Sequence, residues 1–205
     1  KLAISSSAAK NWIVFISLAL LTVVIAAAWL ASVPLVDDNI VLVVRYSAKP
    51  AFALLIIIIA ARPLRQLLQR PWTAKLLQNR RLLGVAFAGV MTGHLALIAF
   101  RFVYTPELTY PLPRLIVGAG AYGMIYLLFI TSFNGPTRAL GPKRWKILHR
   151  AGLIWAGLIF GVPRPFAEIA TPEYLLLGIP LLAALSIRFL AWRRSKSRGN
   201  RHSAA

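Results

Sequence analysis

Apolar residues along this chain gather in long uninterrupted runs, with no alternation of the kind a half-buried strand would show. Runs close to the length that crosses a bilayer fall at roughly 12–36, 47–64, 83–104, 115–133, 147–163 and 174–192. The pattern predicts an all-α integral membrane protein, a bundle of six transmembrane helices. The first run is too long for the apolar core of a secretory signal, so it is expected to stay as an anchored helix. Residue 1 is Lys, which is expected of a chain trimmed or begun within a longer product. Residues 1–11 are then an N-terminal segment, 12–192 the bundle and 193–205 a basic tail.

The charged residues sit between the runs, and their signs separate. The segment from Arg62 to Arg81 carries Arg62, Arg65, Arg70, Lys75, Arg80 and Arg81, and the one before the fifth run carries Arg138, Lys143, Arg144 and Lys146. Neither contains an acid. The carboxylates Asp37, Asp38, Glu107, Glu168 and Glu173 all lie in the alternate connections. By the positive-inside rule the two basic segments, expected as loops, and both termini face the cytoplasm of a bacterial inner membrane.

Composition agrees with burial in lipid: 59% of the 205 residues are hydrophobic and 14% charged, with a mean hydropathy of +0.70. The formal charge of +19 would suggest nucleic acid in a soluble protein, but here it follows from topology, and no nucleic-acid partner is expected. Membrane lipid is the partner that basic juxtamembrane segments attract. With no cysteine, disulfides, iron–sulfur clusters and thiolate chemistry are excluded.

Polar groups inside the membrane are functional candidates by default. None of the six runs holds an Asp or Glu, which argues against a proton-coupled pump. His94 lies in the middle of the third run, in "VMTGHLALIAF", and His149 near the basic end of the fifth, in "KRWKILHR". His202 belongs to the polar tail. Two neutral imidazoles on separate spans suit axial ligation of a haem iron, which needs at most two protein ligands. The competing roles are an interhelical hydrogen bond for His94, and for His149 an interfacial anchor beside Trp145 and Lys146. Small residues flank both: Gly84, Ala88, Gly89 and Gly93 around one, Ala151, Gly152, Ala156 and Gly157 after the other. They would admit a macrocycle or close helix packing equally. Arg101, seven residues beyond His94 on the same helical face, either pairs with a haem propionate or reaches the outer interface.

The stretches "YSAKPAFALLIIIIAARPL", "NRRLLGVAFAGVMTGHLAL" and "TSFNGPTRALGPKRWKILHRAGLIWAGLI" resemble the ferric-reductase-like transmembrane domain family. The similarity is strongest to MsrQ-type haem-binding subunits of periplasmic methionine sulfoxide reductase systems, over about residues 45–192. The resemblance implies a b-type haem on His94 and His149. It implies electron transfer from a cytoplasmic flavin or flavin reductase to a periplasmic acceptor, in that subfamily a molybdenum-containing reductase, with FMN as a further cofactor. Relatives commonly carry another histidine thirteen residues after the first on the fifth run, and Val162 stands there, so one haem is expected in place of two. The alternative is an accessory subunit of a larger complex that keeps the fold without redox function. Depth arithmetic complicates a single haem: His94 stands thirteen residues beyond Arg81, about 20 Å of helix, and His149 three beyond Lys146, about 5 Å.

Overall fold

The computed structural model describes residues 6–105, 111–161, 179–180 and 182–190. Seven helices follow one another: α1 (Ser6–Ala31), α2 (Asp37–Ser47), α3 (Lys49–Leu68), α4 (Pro71–Gln78), α5 (Arg80–Tyr104), α6 (Leu112–Ile130) and α7 (Asn134–Gly161). Residues 179–180 and 182–190 are helical as well. Every described element is helical, as the run pattern requires.

Among the described residues three stretches are long and apolar enough to cross a membrane: Ala8–Ala31, Asp37–Leu68 and Arg80–Tyr104. A fourth exists if the pair Leu115–Ile130 and Asn134–Ile159, bent by 105° at its break, counts as one. The second expected run is therefore α3, and the acidic connection before it is also helical, as α2, so that the two make one long stretch; the fourth and fifth runs are joined through a short break. The sixth run lies partly outside the described residues, as do Val162, Glu107, Glu168, Glu173 and His202.

The two basic segments expected to be loops are instead mostly helical. Helix α3 carries on past Arg62 and Pro63 and stops where Gln69 turns left-handed, with φ 49°. Arg70 is extended (φ −86°, ψ 155°), because the proline after it disfavours the helical region. Pro71 then opens α4 at a position that needs no N–H. Helix α7 breaks at Gly141, whose φ of 73° is a conformation glycine adopts without penalty. The following Pro142 restarts the helix that carries Trp145 and His149. In the first segment Leu64, Leu67, Leu68, Leu76 and Leu77 are interleaved with the cations, a pattern that charge alone conceals.

Helix α5 is the central stave. Val85, Phe87, Ala88, Val90 and Met91 on it are buried with Phe52, Leu55 and Ile59 of α3. On another face α1 lies directly against it. A Cβ built on Gly89 would stand 2.6 Å from the Phe15 carbonyl oxygen, and one on Gly93 2.7 Å from that of Ala19. Bare backbone at both positions is what lets the two helices touch, the usual small-residue contact between helices in lipid. The far side of α1 is open, with Ile13, Leu20 and Val24 each at least 60% exposed. Such a surface requires lipid or protein around it.

These contacts predict opposite signs for one substitution at two glycines. Gly89→Ala should destabilise by about 1–3 kcal/mol through overpacking. Gly120→Ala on α6, where the new methyl meets nothing within 4 Å, should gain up to about 1 kcal/mol from helix propensity. Thermal unfolding in detergent reads both, and a Gly89→Ala protein as stable as the parent would refute the α1–α5 contact.

Candidate functional site

The break between α6 and α7 brings His149 to a cavity. Thr131 and Ser132 at that break are buried, and both hydroxyls turn back on the last carbonyls of α6, Thr131 to Leu127 at 2.7 Å and Ser132 to Leu128 at 2.8 Å. Trp145 donates its indole N–H to the Thr131 carbonyl at 2.9 Å. Its ring stacks on His149 with centroids 4.1 Å apart. The imidazole Nε2 in turn lies 3.1 Å from Thr131 Oγ1. A threonine hydroxyl has one proton, and the shorter contact assigns it to the Leu127 carbonyl. That leaves Nε2 as the donor and Nδ1 as the nitrogen bearing the lone pair.

The cavity beside His149 has a volume of about 700 Å³. Its buried wall is apolar, built from Leu55, Ile58 and Ile59 of α3, Phe87 of α5, Ile125 of α6 and Ala156 of α7. Gly84 also faces it, with nothing within 4 Å of where a Cβ would stand. The rim is cationic: Arg62, Arg80, Arg81, Lys146, Arg150 and Arg188 line it, and among the described residues no acid does. Such a shape suits an apolar, disc-like or chain-like body with an anionic end. Among the described residues no three His, Asp or Glu side chains converge as a metal site. A metal that arrives with its own in-plane ligands, as iron does in a porphyrin, needs only the imidazole.

His94 is elsewhere. It does not line that cavity, whose α5 wall ends at Phe87, seven residues or about 10 Å earlier along the helix. His94 Nδ1 lies 2.8 Å from Ser47 Oγ at the end of α2, and Ser47 Oγ donates to the Val44 carbonyl at 2.8 Å. The logic used for Thr131 makes Nδ1 the donor here, so Nε2 carries the lone pair. The interhelical hydrogen bond weighed for His94 is thus present. The glycine beside it, Gly93, together with Gly89, is taken up by α1, so the open small residue at the cavity is Gly84.

Arg101 forms a two-pronged ion pair with Asp37 at the start of α2, Nε to Oδ1 at 2.9 Å and Nη2 to Oδ2 at 2.8 Å. Thr105 Oγ1 adds a contact to the same carboxylate at 3.3 Å. The arginine thus reaches the end of the bundle opposite the cationic rim, and its carboxylate there is Asp37. The sequence reading missed Ser47 and Thr131, the rim contribution of Arg150 and Arg188, and the stacking role of Trp145. Only the "TSFNG" turn composition pointed toward the break that creates the His149 environment.

The fold and cavity define a helical membrane protein with one histidine in an apolar, cation-rimmed chamber. The chain belongs to the ferric reductase like transmembrane component family, whose model matches residues 48–161. It is 30% identical over 155 residues to the magnetosome protein MamZ of Paramagnetospirillum magneticum, covering 73% of this chain and 23% of that protein. It is 31% identical over 107 residues to the protein-methionine-sulfoxide reductase heme-binding subunit MsrQ of Polaromonas naphthalenivorans, covering 50% of this chain and 48% of that one. The MsrQ of Herminiimonas arsenicoxydans is 35% identical over 105 residues, or 49% and 47% of the two chains. The chain thus spans less than a quarter of MamZ and about half of each MsrQ. No solved structure matches.

The Asp37–Arg101 pair predicts a coupling that stability can read. Asp37 is 38% exposed and Arg101 15%, so solvent screening holds the interaction to about 1 kcal/mol. Asp37→Asn and Arg101→Gln should each destabilise, the double variant should cost less than their sum, and raised salt should shrink the difference. Additive losses in that cycle would mean the pair does not form.

Proposed function

We propose that this chain is a haem b subunit carrying electrons across a bacterial inner membrane, with its basic end and both termini in the cytoplasm. The observation that carries the reading is the cavity. An apolar chamber of about 700 Å³ with an imidazole in its wall and cations at its rim suits a porphyrin body, an axial ligand and propionates together. The MsrQ relatives, by name heme-binding subunits, support the same cofactor. When bound, the haem supplies the one-electron couple. The chain's own residues hold and tune it: His149 ligates, Arg81, Lys146 and Arg150 compensate the propionates, and the apolar wall keeps water from the ring.

His94, about 10 Å from the cavity's Phe87 wall along α5, would be the second histidine to hold the haem, and α7 would have to shift for both to reach one cofactor. Arg101, paired with Asp37 at the opposite end, would serve the propionates only if the haem's propionate edge faced that end instead of the rim. Electrons enter from a cytoplasmic flavin or flavin reductase, with FMN as a further cofactor, and leave to a periplasmic acceptor such as a molybdenum-containing reductase. A second reading, an accessory subunit without redox function, draws on one observation. The His149 ring is already engaged by Thr131 and stacked on Trp145, as a purely structural histidine would be.

Oxidised and dithionite-reduced absorption spectra with pyridine haemochrome quantification test this. About one haem b per folded chain with a low-spin spectrum is expected. His149→Ala should abolish haem binding, and His94→Ala should remove the low-spin signature. Unchanged haem content in the His149 variant would take that residue out of the site. A folded, colourless protein that takes up no haem would favour the accessory subunit.

A further inference from the structure

Haem carries two propionates, and among the described residues six cations and no acid line the cavity. Charge therefore remains after the proposed cofactor is bound. Three of the six are arginines brought together from separate elements: Arg62 from α3, Arg80 from the first turn of α5, and Arg188 from the helical residues 182–190. Arg62 and Arg188 both act electrostatically on Arg80. Arg80 is half-buried while the other two are exposed, so the cluster opens outward from a partly desolvated base. Like charges brought together without a carboxylate repel, and an anion between them removes the cost. Guanidinium groups match a phosphate in geometry as well as charge.

We propose that Arg62, Arg80 and Arg188 bind the phosphate of an acidic phospholipid. The same opening leads to Leu55, Ile58 and Ile59, the apolar wall also offered to the porphyrin, against which an acyl chain packs in the haem-free protein and for which a soluble phosphate has no use. The cluster lies at the basic end of the bundle, where headgroups of one leaflet stand, and basic pockets between spans take acidic headgroups in this way. The inference does not depend on haem: it concerns the three arginines away from Arg81, Lys146 and Arg150, and lipid retained by the protein reads it directly.

The test uses the full chain in neutral detergent, with lipids counted by native mass spectrometry after mixing with phosphatidylglycerol or phosphatidylcholine. Retention of phosphatidylglycerol over phosphatidylcholine is expected. Arg80→Gln combined with Arg188→Gln should weaken that retention at least about tenfold. Arg70→Gln with Lys75→Gln, which removes the same charge outside the cavity, should change it less than about twofold. If the first pair fails to fold, Arg188→Gln alone, at an exposed position, should still weaken retention severalfold. Equal losses in the two charge-matched pairs would reduce the effect to general attraction and overturn the site. Displacement of the lipid by millimolar inorganic phosphate would assign the cluster to soluble phosphate and overturn the lipid proposal.

Discussion

The contact of α1 with α5 through bare backbone at Gly89 and Gly93 sets the rest of the structure. With α1 seated there, α5 has one face closed, and its remaining faces take α2, α3 and α6. The apolar wall of the cavity then comes from α3 and the early turns of α5, and α7 closes it by folding back at the Thr131–Phe133 break. A side chain at either glycine would push α1 away from the Phe15 and Ala19 carbonyls and loosen the stave on which the site is built. In lipid there is little hydrophobic drive to compensate, because the solvent is as apolar as the helix.

The second constraint is electrostatic. Helix α2 opens on Asp37 and Asp38, where acids complement the helix dipole, and Asp37 is answered by Arg101 from the end of α5. At the other end the rim cations have no such answer among the described residues of the cavity lining. One end of the bundle carries an internal ion pair and the other a group of cations left to be neutralised by whatever binds. That asymmetry gives the molecule a receptive end, and it is the end at which His149 stands.

Much of the fold could be read in the sequence because lipid imposes a simple rule: long apolar runs must be helices. The runs predicted at 12–36, 47–64, 83–104 and 115–133 correspond to α1, α3, α5 and α6, while α2 falls in what was expected to be a connection. Family membership was legible in the stretches around His94 and His149. The helical state of the basic segments was not, since their charges mask the leucines that anchor them. The site was less visible still. Ser47 and His94 are 47 positions apart, Asp37 and Arg101 are 64 apart, and no periodicity encodes such pairings. The separation of His94 from the cavity was foreshadowed by helix rise alone, because distance along one straight helix is the one tertiary quantity that numbering contains.

The two histidines share a local device despite their different depths. Each ring gives one nitrogen to a hydroxyl that has already spent its proton on a backbone carbonyl, Ser47 on Val44 and Thr131 on Leu127. The hydroxyl must then accept, so in the neutral ring the other nitrogen carries the lone pair. For His94 that nitrogen is Nε2, and for His149 it is Nδ1. Hydrogen bonding at the remote nitrogen is how proteins orient a ligating imidazole and raise its basicity. In a low-dielectric interior the same bond also removes the cost of burying an unpaired donor. The arrangement thus serves the packed helices and a ligating role at once. For His149 the engaged nitrogen is the one farther from the backbone, so ligation through Nε2 requires Thr131 to release the ring.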